Sequence, residues 1–363
     1  MKTFRGKMIS KLGLLCVPLA VALEFTQGPG IGLFVVSALA LLPLAGWMGR
    51  ATEELALRSG ATVGGLLNAT FGNAAELIIA GIALANGQLG VVKASITGSI
   101  LSNLLLVFGL AIFLGGLKRE RQLFSRDSAA LQATMLTLTM LALLLPAFFE
   151  LTETSFYHVD PRLPNHAFSL ATALVLVGAY AANLVFALFT HRQALLGDAA
   201  EHPHKPAWSM PVAVGVLVGA TSGVAVMAEF LVGSLDAATS AMGLSEFFVG
   251  IILIPLVGNA AEHMAAVQFA RRDKMDLAVQ IAIGSSLQVA LLVAPLLVFL
   301  GVLLGQPMDL VFHNPLELAA LTASIIAVNA VARDGETHWM EGVMLLAVYA
   351  LLASAFFFIK TGG

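Results

Sequence analysis

Five residues occur twice in this 363-residue chain: Gly72-Asn73-Ala74-Ala75-Glu76 and Gly258-Asn259-Ala260-Ala261-Glu262. Both copies lie inside long apolar stretches, so each sets a carboxylate where a membrane would tolerate it least. The offset of 186 residues that carries one copy onto the other also carries Gly98-Ser99 onto Gly284-Ser285, 22 residues after the glutamate in both cases. Two matches at one offset identify an internal duplication with an ionisable group at the heart of each copy. A charged side chain at the centre of a membrane helix costs about 2.5–3.5 kcal/mol on insertion scales, so acids placed there are functional by default. The plainer alternative is a pair of neutral glutamates acting as interhelical hydrogen-bond glue.

The neighbouring residues point to cation chemistry. Gly72 and Gly258 weaken the helix just before each glutamate, because glycine costs about 1 kcal/mol against alanine in a helix interior. Pro255 and Pro146 add further breaks. A helix interrupted at mid-membrane frees backbone carbonyls, and irregular backbone is tolerated at that depth only where it lines protein or water. Such carbonyls, the side-chain oxygens of Asn73 and Asn259, and the carboxylates of Glu76 and Glu262 make an all-oxygen set. Hard cations such as Ca²⁺ prefer it, whereas thiolates or clustered imidazoles suit softer metals. In the second motif pair Ser99 corresponds to Ser285 and Ser102 to Gln288. Small residues there allow close helix approach, and their oxygens could equally complete a cation shell. His263 follows Glu262 where the first copy has Leu77; adjacent helical residues diverge by about 100°, so His263 need not share the cation. It reads equally as a proton relay or as a packed core histidine. Glu54 and Glu229 are weaker candidates near the ends of apolar stretches.

The elements that hold these residues must be membrane spans. The chain is 58 % hydrophobic and 11 % charged, against about 25 % charged residues in a soluble domain, so it lacks the polar material to face water all round. Its net charge of −3 gives no sign of a nucleic-acid partner, and the single Cys16 cannot form an internal disulfide. Spans need about 20 apolar residues. Eleven are expected, at 9–24, 30–49, 61–86, 91–117, 127–149, 166–190, 208–234, 245–270, 276–304, 315–332 and 339–359. With the amino terminus in the cytoplasm, sixteen of the nineteen Lys and Arg residues fall on the inner side and Lys93, Arg162 and Lys360 on the outer, as the positive-inside rule requires. The carboxyl terminus is then outside. Lys2, Arg5 and Lys7 followed by Leu12–Leu23 resemble a signal peptide, but no small-x-small cleavage site follows, so this is expected as an uncleaved extra helix. The expected all-α organisation is that helix over 1–25, a five-helix repeat over 26–191, a cytoplasmic linker over 192–206 and a second five-helix repeat over 207–363. An odd number of helices per repeat makes the two run oppositely through the bilayer. The histidines of the linker, His191, His202 and His204, read as a solvated loop rather than a metal site.

The stretches Gly64-Gly65-Leu66-Leu67-Asn68-Ala69-Thr70-Phe71-Gly72-Asn73-Ala74-Ala75-Glu76 and Pro255-Leu256-Val257-Gly258-Asn259-Ala260-Ala261-Glu262-His263 resemble the paired signatures of the cation/proton exchangers, the calcium/proton antiporters of the calcium/cation antiporter superfamily. Lys93-Ala94-Ser95-Ile96-Thr97-Gly98-Ser99-Ile100-Leu101-Ser102-Asn103 and Trp339-Met340-Glu341-Gly342 extend the match over essentially the whole chain. The resemblance implies inverted five-helix repeats and Ca²⁺ exported against entering protons. It places the cation between Glu76 and Glu262, with Asn73, Asn259, Ser99, Ser285 and Gln288 lining the path and no cofactor required. One departure concerns the linker, where many members of the family that this chain resembles carry a strongly acidic helix and this chain offers only Asp198 and Glu201.

Two carboxylates in a dry site cannot both stay ionised without a counter-ion, so such a site holds either Ca²⁺ or protons, and that exclusion is exchange. Sodium-coupled Ca²⁺ exchange and Mn²⁺/H⁺ exchange are the nearest alternatives. A channel fits less well, because a site that neutralises a whole divalent charge suits occlusion rather than fast permeation. No His-Glu-x-x-His run or Ser/His nucleophile pair suggests an enzyme.

Overall fold

The computed structural model describes residues 13–153, 162–190, 206–312 and 314–359. Much of the expected linker, and with it His191, His202, His204, Asp198 and Glu201, lies outside the described residues.

The described chain is almost entirely helical, as apolar sequence in a bilayer must be, since every backbone polar group has to be satisfied within the segment. In order, the helices are α1 (Cys16–Gln27), α2 (Ile31–Phe71) and α3 (Ala74–Ala85). Next come α4 (Leu89–Gly116), α5 (Arg126–Thr152), α6 (Arg162–Val185), α7 (Met210–Gly233) and α8 (Leu235–Met242). The last are α9 (Glu246–Gly258), α10 (Ala260–Arg271), α11 (Met275–Leu303), α12 (Pro315–Ala332) and α13 (Trp339–Phe358). Two short strands, β1 (Gln122–Leu123) and β2 (Glu336–Thr337), pair antiparallel. Polar caps start several helices: Ser125 Oγ accepts from Ser128 N at 3.3 Å at the head of α5, and Asn314 Oδ1 accepts from Leu316 N at 2.9 Å ahead of Pro315 in α12. This supplies acceptors to otherwise orphaned helix-end N–H groups.

Among the described residues, eight helices are long and apolar enough to cross a membrane, nine if α8 and α9, bent by 111° at Gly243–Ser245, count as one span. Gly243 takes the left-handed conformation (φ 66°) that ends α8. The count differs from the eleven expected spans at three identifiable places. Residues 1–12 are not described, so the first span is represented by the 12-residue α1 alone. The expected spans 61–86 and 245–270 are each divided in two, the first between α2 and α3 and the second between α9 and α10. Conversely, 30–49 and the start of 61–86 are fused in the 41-residue α2. The intervening Ala51-Thr52-Glu53-Glu54-Leu55-Ala56-Leu57-Arg58 is rich in strong helix formers and contains no stop signal.

The chain forms two compact units. The first comprises Met1–Val92, Pro203–Ala261 and Phe356–Gly363; the second comprises Lys93–His202 and Glu262–Ala355. Each draws on both halves of the sequence. In the first unit α2 and α7 pack along each other around Leu41, Leu44, Met48, Val224, Met227 and Leu231, with Ile79 of α3 and Ile254 of α9 closing the cluster. Its polar end is tied at Trp208, whose ring stacks on Trp47 (5.7 Å) beneath the Arg50 guanidinium (4.7 Å) and whose backbone N–H donates to Glu54 Oε2 at 3.0 Å. Glu54 is therefore occupied in holding the chain where it enters α7, and Glu229 is exposed. In the second unit α4 is the central helix, with Ile100, Leu101, Leu104, Leu105, Phe108 and Ile112 buried. Leu141 and Phe148 of α5, Leu174 of α6 and Leu351 of α13 are exposed, as a lipid-facing surface requires.

Gly109 and Gly342 let α4 and α13 of the second unit cross closely. A Cβ on Gly342 would stand 2.5 Å from Phe113 N and 2.6 Å from Gly109 O, both rigid backbone atoms. This gives a packing reason for the glycine of Trp339-Met340-Glu341-Gly342. Gly342→Ala should destabilise the protein by about 1–3 kcal/mol through overpacking, read as a lower melting temperature in detergent. Gly178→Ala, inside α6 with nothing within 4 Å, should not destabilise it and should gain up to about 1 kcal/mol of helix propensity.

Candidate functional site

Both copies of the duplicated motif interrupt a helix, and they do so alike. Asn73 stands between α2 and α3 at φ −99°, ψ 17°, and Asn259 between α9 and α10 at φ −93°, ψ 4°. This sparsely populated bridge region is where many active-site residues sit. The break centres on the asparagine rather than the glycine: Gly72 keeps helical angles (φ −56°, ψ −46°) and Gly258 is the last residue of α9. Each glutamate is thereby carried in the first turn of a new helix, Glu76 in α3 and Glu262 in α10. The unsatisfied N–H groups and positive dipole end of a helix favour negative charge there.

The spacing Asn-Ala-Ala-Glu also matches a helix-capping box, but the structure does not use it as one. Asn73 makes no side-chain cap bond. Asn259 turns backward, its Nδ2 donating to Pro255 O at 3.1 Å while its own N–H donates to the same carbonyl at 3.0 Å. With the nitrogen engaged, the oxygen is the atom Asn259 can offer a cation. Capping therefore does not account for the repeated asparagine.

In the first unit, Asn73, Glu76, Gly258 and Asn259 are all present, and Asn73, Glu76 and Asn259 are buried. Gly258 has a specific role: a Cβ there would stand 3.3 Å from Glu76 Cγ and 3.8 Å from Ile79 Cδ1. The glycine of the second copy thus makes room for the carboxylate of the first. In the second unit, the Ser285 hydroxyl hydrogen-bonds the half-buried Glu262, whose Oε2 is buried without a hydrogen-bond partner. Ser99 and Ser285 are buried and Gln288 half-buried. His263 is buried with its Nε2 likewise unpartnered. The division between the units falls within the second signature, between Ala261 and Glu262.

A second duplicated feature was not anticipated from sequence. α4 loosens into a π-helical segment at Ser102–Val107 and α11 into another at Val289–Val293. Ser102 opens the first, and its counterpart Gln288 immediately precedes the second. Single π-turns inside α-helices concentrate at functional sites, so both copies of the Gly-Ser motif lead into locally widened helix. Only the repeat of Gly98-Ser99 at the common offset pointed there.

The description "Sodium/calcium exchanger protein" belongs to the family model that matches residues 29–189 and 212–358. A Ca²⁺/H⁺ antiporter of Synechocystis sp. is 45 % identical over 373 residues, covering 98 % of this chain and 99 % of that protein. The Ca²⁺/H⁺ antiporter ChaA of Bacillus subtilis is 41 % identical, covering 94 % and 97 %. The solved structure of native YfkE superposes with a TM-score of 0.83 at 38 % identity, covering 97 % of this chain and 99 % of that one.

The Gly258–Glu76 contact makes a specific expectation. Gly258→Ala should push the Glu76 side chain aside and lower apparent Ca²⁺ affinity about threefold to tenfold, given that a 1 Å misplacement can cost about 10²-fold. Gly215→Ala in α7, exposed and with nothing within 4 Å, is the control. Calorimetric titration of the purified variants decides it; equal affinities would deny the contact any part in shaping the site.

Proposed function

Because this chain belongs to the sodium/calcium exchanger protein family, we infer that it is a multi-pass membrane antiporter that exchanges Ca²⁺ for H⁺. One observation carries the reading: each copy of the duplication breaks a helix at an asparagine and sets a carboxylate in the first turn beyond. Full-length relatives at 41–45 % identity bear the name Ca²⁺/H⁺ antiporter, which favours proton over sodium coupling. Glu76 with Asn73 and Asn259, and Glu262 with Ser285, are the groups assigned to the ion; Ser99 and Gln288 are assigned to its path. Two carboxylates balance one divalent charge, so at least two protons replace each Ca²⁺. The chemistry asks for no resident cofactor, Ca²⁺ and H⁺ being the substrates.

The repeats over 26–191 and 207–363 are read as running oppositely through the bilayer, with the helix of 1–25 outside the duplication. The excess of Lys and Arg on one side supports a cytoplasmic amino terminus. In that orientation an inward proton gradient drives Ca²⁺ out of the cytoplasm.

Proteoliposomes carrying a pH gradient and no Na⁺ should accumulate ⁴⁵Ca²⁺. Glu76→Gln and Glu262→Gln should each abolish uptake while still inserting, since a neutral amide removes a charge the bilayer disfavours. Uptake that requires Na⁺ and ignores pH would move the assignment to sodium-coupled exchange, and near-normal flux in either variant would remove that carboxylate from the site.

A further inference from the structure

One polar pair distinguishes the duplicated helices in a way the ion site does not explain. At the common offset of 186, Lys93 and Thr97 of α4 answer to Val279 and Ile283 of α11, both buried and apolar. The polar pair therefore belongs to the first copy alone.

Lys93 and Thr97, four residues apart, share one face of α4. Lys93 pairs with Asp309 and donates to Val311 O at 3.1 Å. Asp309 Oδ1 in turn accepts from Val311 N, and Leu310 N donates to Ser169 Oγ, both at 2.9 Å. The non-helical, buried stretch Met308–Phe312 is thus bonded to both α4 and α6. One turn further along, the fully buried Thr97 hydroxyl donates to Glu317 Oε2 at 2.9 Å. Glu317 is itself buried in the first turn of α12, within reach of the Lys93 charge. All of these residues lie in the second unit.

A buried carboxylate held by one hydroxyl is a directional constraint, because losing the bond leaves both polar groups unsatisfied in an apolar setting. Thr97 precedes Ser99 by two residues, so Ser99 lies about 200° further round α4, on the face turned away from Glu317. Fixing Thr97 fixes the rotation of α4 and hence where Ser99 points. We propose that Thr97 and Glu317 are positioning residues for the exchange reaction, their hydrogen bond holding α4 at the rotation in which Ser99 serves the ion. This rests on the antiporter reading and adds to it two residues that touch no ion.

Proton-driven ⁴⁵Ca²⁺ uptake by the full-length protein in proteoliposomes tests it, using wild type, Thr97→Val, Thr97→Ser and Glu317→Gln. Thr97→Val should raise KM for Ca²⁺ about tenfold, the lower end of what removing a ligand-orienting partner costs, with Vmax little changed. Thr97→Ser keeps the donor and Glu317→Gln keeps an acceptor, so both should return KM close to wild type. An unchanged KM in Thr97→Val, accompanied only by a lower melting temperature, would make the bond purely structural and overturn the inference. So would a Glu317→Gln variant as impaired as Thr97→Val, because charge rather than the bond would then matter. Should Thr97→Val not be recovered from membranes, Thr97→Cys, a weaker donor, must show a smaller rise in KM that Thr97→Ser lacks; no rise overturns the inference equally. A wild type that takes up no Ca²⁺ under a pH gradient would instead sink the antiporter reading itself, so the two failures are distinct.

Discussion

A carboxylate placed in hydrocarbon must be neutralised, by a proton or by a cation. This chain meets that constraint twice, and much of its architecture follows. Each glutamate stands at the positive end of a half-helix, and a half-helix requires a break in the span. A break exposes backbone that lipid would not tolerate, so the interrupted segments must be enclosed by other helices. Asn73 and Asn259 are buried accordingly, while the outer faces of α5, α6 and α13 carry the apolar surface that meets lipid.

The duplication is expressed in backbone geometry as well as in residue identity. Asn73 and Asn259 share nearly the same dihedral angles, and α4 and α11 loosen into π-helix at matching places. The copies are nonetheless not interchangeable. Gly258 accommodates Glu76, Glu262 takes a hydroxyl from Ser285, and only α4 carries the Lys93–Thr97 face bonded to Asp309 and Glu317. An antiporter built from two copies of one design has thus specialised each copy separately.

What could be read from sequence was whatever depends on residue type at fixed spacing. The helical class follows from composition, and the broken spans follow from glycine and proline beside an intramembrane acid. The exact seat of the break did not follow: glycine has the lower helix propensity, yet it is the asparagine that leaves helical geometry. The fusion of two expected spans into α2 was hidden because a window of hydropathy sees Arg50, Glu53, Glu54 and Arg58 as a loop, whereas their backbone preference is helical. The π-segments had no local signature, since Leu-, Val- and Ala-rich sequence suits α and π turns alike. The Thr97–Glu317 bond joins residues 220 positions apart, a pairing that no periodicity announces.

The central claim is that Ca²⁺ and protons exclude one another at the same carboxylates. Calorimetric measurement of Ca²⁺ affinity between mildly acid and mildly alkaline pH tests it most directly. As pH falls, protons fill the cation-free pair and must be displaced, so affinity should weaken. The logarithm of affinity should approach a slope of about two per pH unit where both protons are released, by the linkage of protonation to metal binding. It should flatten at higher pH, once none remain to displace. A Ca²⁺ affinity that is the same at every pH would contradict the account, because protons and Ca²⁺ would then occupy separate sites.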